Sequence, residues 1–137
     1  SEAALSVARE NSRALQLPVE FVQSSWFAAL GHRRWPLIVS NPPYVAVDDA
    51  HLSGGDLRFE PDMALTDGRD GLSSIREIAS RAPDHLTPGG WLLIEHGYDQ
   101  AAEVRSIFEL NGFSNVTLRH DLAGRPRATG GCFGNAG

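Results

Sequence analysis

The chain has 137 residues, 42% of them hydrophobic, and a formal net charge of −5, which is enough for one domain with an ordinary core. The acidic balance works against a nucleic-acid groove, which would have to be built against the overall field. A single cysteine, Cys132, excludes a disulfide framework or a multi-cysteine metal site within the chain and points to a reducing, intracellular setting. The five histidines lie far apart without ligand spacing, which speaks against a metal site.

In chain order, Ser1 can cap a helix with Leu5, Ala8 and Leu15 on its apolar side and Ala4 and Val7 beside them. Glu2 falls in its first turn and Pro18 marks its end. Val19 to Gln23 reads as a short strand, followed by Ser24-Ser25-Trp26-Phe27 and a helical turn over Phe27 to Leu30.

Leu37-Ile38-Val39-Ser40 is a short apolar run of the kind that makes a strand buried on both faces. It ends in Asn41-Pro42-Pro43-Tyr44. Each proline fixes its own φ, lacks an N–H and pushes the preceding residue out of the helical region. Asn41 and Pro42 are therefore extended, with carbonyls that no continuing ladder takes up. In an open α/β sheet the carboxyl ends of the strands are where ligands sit. The Asn41 side-chain oxygen and the Pro42 carbonyl make a rigid pair of acceptors, and the Tyr44 ring can lie over a flat group. Such a pair suits a conjugated NH2: it grips both hydrogens, returns electron density to nitrogen and aims the lone pair at an electrophile, so that alignment supplies most of the acceleration. The plainer reading is a strand-ending turn, since Asn and Pro favour turns for local reasons.

From Val45 to Asp70 periodicity fails. A stretch of that length reads as a functional flap or a solvated loop, with a hairpin possible at Gly54-Gly55. Leu72, Ile75, Ile78, Ala79, Ala82 and Leu86 then space an amphipathic helix, with Asp70 as cap and Pro83 ending its regular part. Thr87-Pro88-Gly89-Gly90 is a turn, Trp91 to Ile94 is another fully buried strand, and Glu95-His96-Gly97 is its polar exit at the sheet edge that carries Asn41. Asp99 caps a helix that Gly112 stops. Phe113 to His120 and Ala128 to Phe133 read as two adjacent strands forming an antiparallel pair that closes the sheet, joined by an Asp121 to Pro126 turn.

This order of elements matches the latter part of a class I S-adenosylmethionine-dependent methyltransferase, an α/β Rossmann-like fold. The sheet of that fold is mostly parallel with an antiparallel last strand. The chain further resembles the release-factor glutamine N5-methyltransferases, the HemK/PrmC family, across nearly its whole length. The resemblance rests on Ser1-Glu2-Ala3-Ala4-Leu5, Ser24-Ser25-Trp26-Phe27, Ile38 to Tyr44, Arg58-Phe59-Glu60-Pro61, Pro88-Gly89-Gly90 leading to Glu95-His96-Gly97, and the Asp121 to Arg127 turn. Asn-Pro-Pro-Tyr by itself is shared with amino-methylating enzymes of DNA and RNA; its combination with the other segments is much more specific.

The resemblance implies methyl transfer from S-adenosyl-L-methionine to the glutamine amide of the Gly-Gly-Gln motif of peptide-chain release factors. It implies that Asn41 and the Pro42 carbonyl hold the substrate NH2, while Pro43 and Tyr44 shape and cover the pocket. Trp26 and Ser25 would lie by the adenosine, with Asn41 also beside the cofactor. A monomeric cytoplasmic enzyme with no general base follows. Two departures stand out. The family's glycine-rich cofactor loop and ribose-binding acid would lie before Ser1, and many members carry Asp where this chain has Ser25. The expectation is a single truncated catalytic domain over 1–137, part of a longer enzyme and inactive alone, without the fold's first strands. Two other readings compete: an amino-N6-adenine methyltransferase that stacks a flipped base on Tyr44, and a non-catalytic module binding a partner through the same face.

Overall fold

The computed structural model describes residues 1–44 and 70–134. The reading of Val45 to Asp70 as a flap, the hairpin at Gly54-Gly55 and Arg58 to Pro61 thus fall almost wholly outside the described residues. Two compact units are present, Ser1–Arg33 and Arg34–Gly137.

In the first unit, helix α1 spans Glu2–Ala14, and the Ser1 hydroxyl accepts the Ala4 N–H at 3.2 Å. Glu2 in the first turn and Arg13 in the last complement the helix dipole. The helix closes before Pro18: the Ser12 hydroxyl donates to the Leu17 carbonyl at 2.8 Å, and the Leu17 N–H returns to the Ser12 carbonyl. Val19 to Gln23 forms no strand. β-branched content favours a strand only where a neighbouring ladder exists, and none of the described strands pairs with it. Ser25 to Leu30 is a run of hydrogen-bonded turns, with Ala28 N–H on the Ser25 carbonyl and Leu30 N–H on the Phe27 carbonyl, both at 3.0 Å.

The second unit holds a four-stranded sheet: β1 (Trp35–Ser40), β2 (Leu86–Glu95), β3 (Phe113–His120) and β4 (Pro126–Phe133). Helix α2 (Ser73–His85) precedes β2, and α3 (Ala101–Leu110) lies between β2 and β3. The spatial order is β1-β2-β4-β3, with β1 and β2 parallel and β4 antiparallel to both its neighbours. Three strands thus run one way, as the sequence suggests. The antiparallel pair closes this end of the sheet as expected, with the last strand lying between β2 and β3.

The helix-facing side of the sheet carries the core. Leu92 and Ile94 of β2, Ile75 and Ile78 of α2, and Val104 and Phe108 of α3 are all buried. Gly131, opposite Leu92, has no room for a side chain, since a Cβ there would lie 2.8 Å from the Phe108 ring. The other side differs from expectation. Leu37 and Val39 are 51% and 69% exposed, and Trp91 and Leu93 are only half-buried. Among the described residues these strands are therefore not buried on both faces: their apolar runs serve one packed face, and the other carries the exposed Leu37 and Val39.

Three local expectations also shift. The turn at Thr87 to Gly90 is absorbed into β2 as an irregularity, where Trp35 pairs with Leu86 but Leu37 pairs with Trp91. Helix α2 runs through Pro83 to His85, because in a final turn the missing N–H removes a single bond. Arg34 supports that end, donating to the Leu86 carbonyl at 2.9 Å. Asp70 accepts the Leu72 N–H at 3.1 Å, two residues before the helix, and Leu72 occupies the cap position itself.

Candidate active site

β1 ends at Ser40, whose ladder partner is Ile94. Neither Pro42 nor Pro43 can donate to a neighbour, so pairing stops there. Pro42 is fully buried, Pro43 and Tyr44 are half-buried, and Asn41 stands exposed at the end of the strand. A buried ring anchors the corner and leaves the polar amide to solvent.

Gln100 holds the far side of this corner. Its Nε2 donates to the Tyr44 carbonyl at 2.9 Å and to the Gly71 carbonyl at 3.4 Å, and its Oε1 accepts the Gly97 N–H at 2.8 Å. One amide thus joins three backbone segments. Gly71 has a φ of +75, and a Cβ on it would overlap the Tyr44 carbonyl oxygen. Only glycine tolerates both conditions.

The Tyr44 hydroxyl meets Glu95 and Arg127. Burial, reinforced by the Glu95 charge, holds its pKa above the usual phenol value, with Arg127 opposing. The phenol therefore stays protonated and donates to the Glu95 carboxylate. Arg127 in turn lies 3.5 Å from Asp121 Oδ2, while Asp121 Oδ1 accepts the N–H groups of Ala123 and Arg125, both at 2.9 Å. The Arg125 N–H is the main cause of the lowered Asp121 pKa.

His96 is fully buried. Its Nδ1 is 2.8 Å from the Gly97 carbonyl, which can only accept, so the ring proton sits on Nδ1. Nε2 then accepts from the Thr129 hydroxyl at 2.9 Å. Burial lowers the His96 pKa, which keeps the ring neutral. A histidine so engaged is a structural strut and is not poised as a base.

Asn41 to Tyr44, Glu95 to Gly97 and Asp121 to Arg127, singled out separately in the sequence, thus gather at one edge of the sheet. Ser25 and Trp26 belong to the first unit: Ser25 is exposed, and Trp26 is half-buried with a φ of +48. Sequence reasoning missed Gln100. It named Asp99 as the cap of α3, whereas Gln100 occupies the cap position and spends its side chain on Gly97, Tyr44 and Gly71. Among the described residues no group of three or more His, Cys, Asp or Glu could hold a metal ion, and no helix is long and apolar enough to cross a membrane.

Three co-directional strands with a fourth running backwards between the last two, and a stiff polar corner at a strand's carboxyl end, define part of a Rossmann-like methyltransferase fold. Solved structures agree. A methyltransferase from Pyrococcus furiosus superposes with a TM-score of 0.72 at 18% identity, covering 98% of this chain and 60% of that one. A protein-(glutamine-N5) methyltransferase (release factor-specific) from Alicyclobacillus acidocaldarius gives a TM-score of 0.52 at 29% identity, covering 92% of this chain and 73% of that one.

In sequence the chain is 54% identical over 135 residues to a release factor glutamine methyltransferase from Neisseria gonorrhoeae, covering 97% of this chain and 50% of that protein. A protein of the same name from Pseudomonas aeruginosa is 50% identical over 129 residues, covering 93% of this chain and 47% of that protein. No protein-family model matches. The chain is a homologue of the release factor glutamine methyltransferases and spans about half the length of the curated relatives it matches.

Proposed function

We propose that this chain forms the substrate-side part of an enzyme that methylates the amide nitrogen of the Gly-Gly-Gln glutamine in peptide-chain release factors. The methyl donor is S-adenosyl-L-methionine, and the setting is the cytoplasm, with the enzyme acting as a monomer. The observation that carries this reading is the Asn41-Pro42-Pro43-Tyr44 corner, pinned at the carboxyl end of β1 in a chain about half identical to proteins of that name.

Separate groups on the chain suit parts of the donor's chemistry. Trp26 offers an aromatic face and Ser25 an exposed hydroxyl, suited to a purine and its amino group. Asn41 offers an exposed amide. When bound, the donor would supply an electrophilic methyl on a positively charged sulfur. The Asn41 side-chain oxygen and the Pro42 carbonyl accept the two N–H groups of the substrate amide and orient its lone pair. Pro43 shapes the wall of the pocket, and Tyr44, tethered through its hydroxyl to Glu95, covers the flat group. The nitrogen becomes acidic only after attack, so its proton leaves late and no side-chain base is needed. Catalysis is then alignment and electrostatics.

The test uses a chain of the relatives' full length that carries these 137 residues. Labelled methyl should pass from the donor to release factor and should not pass when the Gly-Gly-Gln glutamine is replaced by alanine. Label appearing on adenine in DNA or RNA would establish the competing reading instead. Absence of turnover with retained binding would favour a non-catalytic module.

A further inference from the structure

We propose that Gln100 is the positioning residue of the substrate-amide site, a role that rests on the function proposed above. The four residues from Asn41 to Tyr44 are fixed at both ends. On one side Ser40 sits in the ladder with Ile94; on the other the Tyr44 carbonyl takes the Gln100 Nε2 hydrogen bond at 2.9 Å. Between them stand two prolines whose φ angles are set by their rings. With both ends held and the middle stiff, the backbone that carries the Asn41 side chain and the Pro42 carbonyl has little freedom left to wander.

The chemistry of the clamp needs an amide and no other group. Position 100 faces one donor, the Gly97 N–H, and two acceptors, the carbonyls of Tyr44 and Gly71. A glutamine presents one acceptor and an NH2 with two hydrogens, which matches that set in full. Its orientation is thereby decided, since the flipped amide would point oxygen at two carbonyls. Glutamate keeps the shape and the acceptor but loses both donors, and its charge faces the carbonyl oxygens. The Gln100 amide spends its hydrogen bonds on backbone groups and acts through the Tyr44 peptide. The clamp also ties the polar exit of β2 to the corner after β1, so two segments singled out in the sequence share one support.

The experiment compares wild type, Gln100→Glu and Gln100→Leu in the full-length chain, with turnover measured per folded molecule. For both variants kcat should fall by about 10- to 100-fold, the scale of a small misplacement of reacting groups, with donor affinity unchanged. Gln100→Glu should recover part of the loss as pH is lowered, because a protonated carboxyl again donates one hydrogen bond to Tyr44. Gln100→Leu should show no such recovery. A purely structural role would lower thermal stability while leaving kcat per folded molecule and the pH profile at wild-type values. Should Gln100→Glu fail to fold, the Gln100→Leu kcat decides alone. Wild-type kcat in either folded variant overturns this role and leaves the proposed function standing. A wild-type chain with no transfer to the Gly-Gly-Gln glutamine overturns both.

Discussion

The imidazole Nε2 of His96 lies 2.9 Å from the Thr129 hydroxyl, and neither side chain is open to solvent. This bond crosses from the exit of β2 to β4, one residue from Glu95 and two from Arg127, the groups that meet the Tyr44 hydroxyl. It also completes the account of a buried ring whose other nitrogen is spent on the Gly97 carbonyl. Replacing Thr129 by valine keeps the volume and removes the donor, leaving Nε2 buried without a partner. The expected cost is about 1–3 kcal/mol, read from chemical denaturation. Thr129→Ser, which keeps the hydroxyl, should cost less. Equal stability of Thr129→Val and wild type would show that this bond carries no net stabilisation.

The same histidine sets a pH dependence. Burial lowers the His96 pKa in the folded state, so the unfolded chain binds a proton more readily than the folded one. The stabilisation from holding the ring neutral is complete above the unfolded value of about 6.5, and it is lost as pH falls from there toward the folded value. Melting temperature should therefore decline between neutral and mildly acid pH. A His96→Gln variant should be less stable at neutral pH but flatter across that window. Asp121, whose lowered pKa acts in the ordinary carboxylate direction, contributes a separate loss at lower pH still.

Gly71 gives a sharper structural test. Its φ of +75 and the absence of space beside the Tyr44 carbonyl and the Gln100 amide, 2.8 Å from a Cβ built there, act together. Gly71→Ala should destabilise by about 1–3 kcal/mol, the range for a strained backbone residue. It should also disturb the Tyr44 carbonyl. Gly124, with a φ of +76 and open space around it, is the control. Alanine there meets only the backbone penalty, so its effect should be the smaller of the two in the same denaturation series.

Much of this arrangement is legible in local pattern. The 3-4 spacing of Ile75, Ile78, Ala79 and Ala82 specifies the buried stripe of α2, and the paired prolines after Asn41 specify where β1 stops. What escapes is whatever depends on partners distant in the chain. Val19 to Gln23 has strand composition but no ladder to join. Asp99 satisfies local capping preference, yet Gln100 is the residue whose amide matters, because its acceptors Tyr44 and Gly71 are 56 and 29 positions away. Likewise the Asp121 to Arg127 turn stands out in the sequence, but nothing local shows that Arg127 reaches Tyr44. Periodicity reports faces and ends; it carries no information on which carbonyl a given amide will find.

The corner itself separates two kinds of contribution. Asn41→Ala removes an exposed side chain, so the fold should change little. If the proposed function holds, though, turnover in the full-length chain should fall by at least about 100-fold, the scale of losing one transition-state contact. Tyr44→Phe is the complementary change. It keeps the ring that covers the flat group and deletes the hydroxyl that donates to Glu95, so Glu95 and Arg127 lose a partner. The expected stability cost is about 1 kcal/mol, with a smaller loss of rate than for Asn41→Ala, since the ring remains but is less firmly held. Tyr44→Ala should lose the rate that Tyr44→Phe retains. Steady-state kinetics and denaturation on the three variants would distinguish these roles. A Tyr44→Phe variant as slow as Asn41→Ala would move the hydroxyl from positioning into the chemistry itself.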